Sequence, residues 1–237
     1  FLDRMLFQAE SGYAQWFREY RRALSSRNEL LKQDATDMEI GAYDRVLSAL
    51  GARMGQARAR LTIMLSEAAA QVMGHLGVEP FSINLQARVE PDEGALFQAL
   101  SSALRSDRRR CRTSVGPHTD ALELARPTGL ARVVASRGEA RALSVSLRLA
   151  ERKVIARCAG AMPLLLLDDV WAELDGERAE RVLTLVADEP GQVVVTGTGG
   201  SEPGISGVLS SGIAFVVVSG CSVGAAEEPN GGNEPGS

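Results

Sequence analysis

Lysine is nearly missing from this sequence. Of its 26 Lys and Arg residues only Lys32 and Lys153 are lysines, and they follow Leu31 and Arg152 rather than glycine. No G-x-x-x-x-G-K-[ST] phosphate loop is therefore encoded in the 237 residues. Histidine is as scarce, with His75 and His118 alone. Cys111, Cys158 and Cys221 are odd in number, widely spaced, and form neither a CxxC pair nor a cluster with histidine. That pattern argues against a disulfide framework or a zinc site and for a reducing compartment. No apolar run approaches the roughly 18 residues that a bilayer span needs, and the first residues lack a signal-peptide layout. A cytoplasmic protein without a membrane partner is expected. A large charge of one sign is also absent: 26 basic against 30 acidic residues give a formal net charge of -4. The whole-molecule field thus does not advertise nucleic-acid binding, and any such contact has to be a local patch. The preference for arginine suits bidentate phosphate contacts, and a GC-rich genome explains it equally well.

What is present is an ordinary globular composition, 45% hydrophobic, long enough for one large domain or two small ones. The chain opens with Phe1 rather than Met, inside what reads as structured sequence, so its natural beginning is expected to lie upstream. Tyr13, Trp16, Phe17, Tyr20, Leu24 and Leu31 recur at helical spacing, with Arg18, Arg21, Arg22 and Arg27 interleaved. A second long helix is predicted over residues 38–73, with Val46, Leu50, Met54, Ala57, Leu61, Met64 and Val72 as its stripe and a break near 33–36. Two long helices with a short link suggest an antiparallel helical arm over 1–80; a plain bundle layer fits the periodicity equally.

Residues 81–89 alternate apolar and polar, as a strand with one wet face does. A helix at 93–104 and the basic run Arg105, Arg108, Arg109, Arg110 and Arg112 follow, so 81–115 reads as a strand and helix connecting to the next domain. The run is a candidate DNA contact through phosphates, or simply a solvated face. Short strands are predicted at 121–124 and 130–134, then a helix from Ser136. The four leucines 164–167 do not alternate, which predicts a strand buried on both faces of a parallel sheet. A helix over Gly176–Ala187, a strand over Val193–Val195 and an edge strand over 213–218 complete a head part spanning 116–218. Beyond 219 the Gly, Pro, Asn and Glu content predicts a disordered tail to 237.

Two places carry chemistry. Asp168 and Asp169 end the leucine strand, at the edge of a parallel sheet where α/β folds bind ligands and where a nucleotide's magnesium would sit. Paired acids there also cap turns. Ser136 and Glu139 form a capping box, and with Gly138 beside them the helix N-terminus has the geometry to receive a phosphate. Asp175 falls where the next helix needs an N-cap. His75, near the end of the second long helix, reads as a C-terminal cap residue.

In their order and spacing these elements resemble the RecF family of ABC/SMC-class ATPases. The family has Gly-Pro-His-Arg-Asp-Asp-Leu, then a Ser-Arg-Gly-Gln-Gln-Lys signature, then Leu-Leu-Leu-Leu-Asp-Asp-Val leading to Ser-Glu-Leu-Asp. Here stand Gly116-Pro117-His118-Thr119-Asp120-Ala121-Leu122, then Ser136-Arg137-Gly138-Glu139-Ala140-Arg141, then Leu164 to Val170, Trp171 and Ala172-Glu173-Leu174-Asp175. Phe1-Leu2-Asp3-Arg4, Tyr20-Arg21-Arg22-Ala23-Leu24, Arg27-Asn28 and Leu30-Leu31-Lys32 look like the start of the RecF arm, so the resemblance runs from Phe1 to about Thr198.

The resemblance implies an α/β fold: part of an ABC/SMC-class P-loop ATPase head, a mainly parallel sheet with flanking helices, plus a helical arm. It implies that Asp168 holds Mg2+, that Asp169 orients the attacking water, and that Ser136, Arg137, Gly138 and Glu139 reach the γ-phosphate of ATP held by a second subunit. Asp175 would couple the two sites, and His118 would touch nucleotide or DNA. Implied partners are gapped DNA, RecO, RecR and the RecA recombinase, with an ATP-dependent homodimer acting in DNA replication, recombinational repair and the SOS response. The family's P-loop lies N-terminal to where this chain starts, so truncation is the expected reason for its absence, and the chain as given is expected not to hold ATP alone. Glu139 replaces the signature glutamine and brings a negative charge that Arg137 or Arg141 would have to offset. Thr119 and Ala121 replace an arginine and an aspartate of the family element, and Thr196-Gly197-Thr198 departs from the usual Ala-Thr-Asp. The alternative reading is a degenerate, non-enzymatic relative that binds DNA or a partner through the arm and the arginine run.

Overall fold

The computed structural model describes residues 1–33, 35–168, 174, 176–187 and 189–196, and the backbone of 216–219 and 222–225. Three helices open the chain: α1 (Leu2–Ala9), α2 (Tyr13–Lys32) and α3 (Asp37–His75). The two long helices match the expected spans closely, because the apolar spacing fails just where the link between them begins. Thr36 starts α3 with a capping box: its hydroxyl accepts from the Glu39 N–H, and Glu39 returns to the Thr36 N–H at 2.8 Å. His75 closes α3 by engaging the Gln71 carbonyl through Nδ1 at 2.7 Å, as expected of a cap residue.

The register of α3 differs from the expected stripe by one residue at two points. Val46 is 44% exposed while Leu47 is buried, and Leu65 rather than Met64 is fully enclosed. The reason is that α3 buries more than one stripe, packing against α1, α2, α4 (Glu93–Arg110) and α6 (Arg137–Ala159). It is the central helix of its unit. Gly55 serves that packing, since a Cβ there would stand 2.7 Å from Pro91 Cβ.

Strands β1 (Ser82–Gln86), β2 (Ala121–Arg126) and β3 (Gly129–Leu130) form an antiparallel sheet, with Ile83 opposite Leu124 and Arg126 opposite Gly129. The second strand expected at 130–134 ends at Leu130. Residues Ala131–Val134 instead form the helical turn α5, which packs on β2 and β3. The β-branched pair Val133 and Val134 favours a strand locally, but the Ala135 N–H donates to the Ala131 carbonyl at 2.9 Å and closes a helical turn instead.

Strand β4 (Leu165–Leu167) pairs with β5 (Val193–Val195). The Leu165 N–H donates to the Gln192 carbonyl and the Thr196 N–H to the Leu167 carbonyl, so partners advance together and the pair is parallel. The leucine strand is not buried on both faces as expected. Leu165 and Leu167 are buried, whereas Leu164 is 54% and Leu166 66% exposed, because one face of the pair is covered and the other is open. Helix α7 (Gly176–Ala187) buries Ala179, Val182, Leu183 and Val186. Where a disordered tail was expected, the backbone of β7 (Ser222–Ala225) pairs antiparallel with β6 (Val216–Ser219). A two-residue link between the strands has hairpin length, and composition alone hid it. Residues 226–237 of the expected tail lie outside the described residues.

The chain forms two compact units, one of residues 1–166 with 191–194 and one of residues 167–190 with those from 195 on. The division falls within β4 and β5. Among the described residues, no helix is long and apolar enough to cross a membrane.

Candidate functional site

The signature residues sit at the start of α6. Ser136 is the N-cap, with an extended backbone at φ -64 and ψ 165; its hydroxyl accepts from the Glu139 N–H at 3.2 Å and its own N–H donates to Glu139 Oε2 at 2.8 Å. The expected capping box is therefore formed. It satisfies the N–H of the third helical residue and leaves those of Arg137 and Gly138 at the open end of the helix, the arrangement that attracts an anion. Ser136, Arg137 and Gly138 are exposed. A Cβ on Gly138 would meet nothing within 4 Å. Packing therefore does not demand glycine there, and a helix position favours alanine over glycine.

The charge of Glu139 is offset from an unexpected direction. Among the described residues the cation paired with it is Arg126, at the end of β2. Arg126 Nη1 donates to Glu139 Oε1 at 3.1 Å and to Glu79 Oε2 at 2.7 Å, its Nε reaches Thr128 Oγ1, and its guanidinium lies 4.9 Å from the Phe81 ring centroid. The hydrogen bonds from Ser136, then that from Arg126, hold the Glu139 carboxyl down to a pKa of about 2. The acid is fully ionised at neutral pH and its two oxygens are both used. Nothing in the sequence singles out Arg126, because its importance depends on a hairpin returning it to the helix start.

Asp168 follows β4 directly and is exposed, and Thr196 Oγ1 donates to its Oδ1. An exposed carboxylate beside a hydroxyl is a hard-oxygen donor set of the kind Mg2+ takes, with water completing the shell. Asp169, Asp175 and the intervening 170–173 lie outside the described residues. Among the described residues, no group of three or more His, Cys, Asp or Glu stands ready to hold a metal. Ser136 and Asp168 belong to different compact units.

The arginine run divides. Arg108 is a staple, donating to the Ala35 carbonyl and to Asp37 Oδ1, both at 2.6 Å, and so fastening the end of α4 to the start of α3. Arg105, Arg109, Arg110 and Arg112 are exposed and, among the described residues, carry no ion pair. Asp107, within the same run, points inward and is fully buried.

His118 is used internally. Tyr20 donates its hydroxyl proton to Nδ1 at 2.8 Å, and Nε2 faces the Thr113 carbonyl at 3.2 Å. These partners fit one neutral tautomer, protonated on Nε2. Part of the ring remains open to solvent, but burial of the rest pushes its pKa below the ordinary histidine value. Both ring nitrogens are thus engaged within the chain.

The whole Gly116 to Asp120 segment is anchored in the same way. Gly116, at φ +128, admits no side chain because the Tyr20 hydroxyl stands where a Cβ would be. Arg58 donates through Nη1 to the Pro117 carbonyl, approaches Asp120 Oδ2 at 3.5 Å and pairs with Asp3 at 2.8 Å. Burial raises the pKa of Asp120, and Arg58 opposes that shift. A second buried network centres on Arg27, which donates to Asp44 at 2.6 Å and to Asp107 and Thr113, each at 2.9 Å. The Thr113 N–H and hydroxyl in turn donate to Asn28 Oδ1.

No family model matches the chain. It is 38% identical over 215 aligned residues to the DNA replication and repair protein RecF of Myxococcus xanthus, covering 85% of this chain and 57% of that protein. It is 36% identical to the protein of the same name from Deinococcus deserti, covering 84% and 54%. Among solved structures, that of the recombination mediator protein RecF-ATP in the RecFOR pathway superposes with a TM-score of 0.72 at 22% identity, covering 84% of this chain and 56% of that one. That superposition establishes a shared fold. The chain spans about half the length of the curated relatives it matches, and over that shared region it is similar to proteins named RecF.

Proposed function

We propose that this chain is the helical and signature-bearing part of a RecF-like ATPase acting in DNA replication and recombinational repair. In this reading the protein binds ATP and gapped DNA, forms an ATP-dependent homodimer, and with RecO and RecR helps load RecA in the SOS response. The observation that carries it is the start of α6. In a chain 38% identical to a protein named RecF, an exposed Ser136-Arg137-Gly138 turn opens a 23-residue helix, and Gly138 has no packing partner that requires it. Such a turn serves a phosphate arriving from outside the chain, and the sequence has no phosphate loop of its own.

Ser136, Arg137 and Gly138 would contact the γ-phosphate of ATP held by the second subunit, with Glu139 fixing the turn. Asp168 and Thr196 would hold the hydrated magnesium that accompanies the nucleotide, Asp169 would orient the attacking water, and Asp175 would couple the two sites. The exposed Arg105, Arg109, Arg110 and Arg112 would contact DNA phosphates, with a salt dependence to match. Sedimentation of the gene product that carries this chain, on gapped DNA with and without ATP, tests the reading. ATP-dependent dimerisation that Asp169→Asn prolongs is the expected result. No response to ATP would leave a DNA- or partner-binding relative without ATPase function.

A further inference from the structure

The fourth signature position is the one departure from the family pattern that the structure explains. A glutamine at 139 would still offer a carbonyl oxygen to the Ser136 N–H, but would turn its amide N–H groups toward the Arg126 guanidinium, donor against donor. A carboxylate instead accepts from both sides, with Oε2 on the Ser136 N–H at 2.8 Å and Oε1 on Arg126 Nη1 at 3.1 Å. Arg126 is itself fixed. Glu79, Thr128 and the Phe81 ring hold it from three sides, the Val134 carbonyl accepts from its Nη2 at 3.4 Å, and only 12% of its side chain is exposed.

We propose that Arg126 is the positioning residue of the signature turn: it clamps the Glu139 carboxylate back onto the cap and neutralises it, so that an acid at this position leaves the α6 N-terminus able to receive a phosphate. Arg126 and Glu139 thus form a matched pair, and the acidic replacement is compensated rather than a sign of decay. This deepens the phosphate-receiving role proposed above and rests on it. The groups facing Glu139 are Ser136 beneath it and Arg126 across from it, with Glu79 sharing the same guanidinium. Glu79, at 2.7 Å from Arg126 Nη1, is 66% exposed on its side chain, whereas Glu139, at 3.1 Å, is 29% exposed and so less screened by solvent.

The test uses the full 237-residue chain and its variants Arg126→Met, Arg126→Lys and Arg126→Met/Glu139→Gln. Two quantities are read by NMR: the titration midpoint of the Glu139 carboxyl, and the affinity for inorganic tripolyphosphate reported by the Arg137 and Gly138 amides. Arg126→Met should raise the Glu139 midpoint toward that of an ordinary glutamate and weaken tripolyphosphate binding about two- to fivefold, the size of one uncompensated charge at a helix start. Arg126→Lys should recover most of both effects. The double variant, which has neither charge, should recover the affinity, and a purely structural role for Arg126 predicts no such recovery. The proposal is overturned if Arg126→Met leaves the Glu139 midpoint unmoved, or if removing the Glu139 charge fails to restore binding. If the unaltered chain takes up no tripolyphosphate, the phosphate-receiving role itself is lost, while the Glu139 midpoint still decides whether Arg126 governs that residue.

Discussion

Two helices of this molecule begin with the same four-residue device in different surroundings. Thr36 and Glu39 open α3, and Ser136 and Glu139 open α6, each pair forming a complete capping box. In the first, both Thr36 donors turn to one oxygen of Glu39, at 2.8 and 2.7 Å, and the neighbouring cation, Arg108, pairs with Asp37 instead. In the second, the glutamate is divided between the cap and Arg126. Both first turns are exposed, but that of α3 carries Asp37 beside its capping glutamate, whereas that of α6 presents Ser136, Arg137 and Gly138 with no second acid. A capping box therefore identifies a helix start and nothing more. What marks one of them for a ligand is a first turn with no second acid, a glycine that packing does not require, and a cation fixed against the acid.

The largest expected effect separates the anchorage of α3 from that of α6. Among the described residues, Arg27 is the one cation paired with Asp44, near the start of α3, and it also holds Asp107, all three buried. Arg27→Met would leave two carboxylates enclosed without their cation, which costs about 3–5 kcal/mol when a buried pair is broken. Arg109→Met, in the exposed run, should stay within about 0.5 kcal/mol of the unaltered chain. Urea unfolding of the two variants measures the contrast. If Arg27→Met proved as mild as Arg109→Met, the buried network would not be what secures α3.

Next in size are the caps themselves. Thr36→Ala and Ser136→Ala each remove a side-chain acceptor from a helix start and should each cost about 1 kcal/mol in stability. Equal costs are the expectation, since the two boxes are locally alike. Only Ser136→Ala should alter tripolyphosphate shifts, because the α3 start carries a second acid, Asp37, that repels an anion, whereas the α6 turn has only Glu139, paired with Arg126. Loss of those shifts on Thr36→Ala would abolish the distinction between the two boxes.

How far the sequence revealed these features depends on whether their cause is local. The ends of α2 and α3, the Ser136 box and the Gly176–Ala187 helix were legible because spacing and caps fix them within a turn or two. Arg27 was legible in principle: Tyr20, Ala23, Arg27 and Leu31 share one helical face, so a charge stood in a buried stripe and implied buried partners. Those partners, Asp44, Asp107 and Thr113, lie 17, 80 and 86 residues away, and nothing in the spacing selects them. Leu166 escaped because a run of four leucines cannot tell a strand covered on both faces from one covered on one. The role of Arg126 escaped for a similar reason, since its meaning is created by the β2–β3 hairpin. His118 was legible as part of a motif but not as an internal hydrogen-bonding residue, because motif membership does not reveal which way a ring is engaged.

A smaller effect tests the acids directly. Glu39→Gln should be nearly silent, since glutamine completes a capping box as glutamate does and, among the described residues, no cation pairs with Glu39. Glu139→Gln should lower thermal stability measurably, because Arg126 loses an acceptor and meets an amide. The same asymmetry governs pH. Both carboxyls titrate below their ordinary value, Glu39 through its Thr36 hydrogen bonds and Glu139 through those from Ser136 and then Arg126, to about 2. A folded-state pKa below the unfolded one, which is about 4.3 for glutamate, gives stabilisation that is complete above the unfolded value and disappears as pH falls toward the folded one. Between neutral pH and pH 5 neither box should contribute any pH dependence. Below that, part of the acid-induced loss of stability should vanish in Glu139→Gln and a smaller part in Glu39→Gln. Thermal unfolding of the three proteins from pH 6 down to pH 3 reads this order, and a larger change in Glu39→Gln would mean that Arg126 adds nothing to the second box.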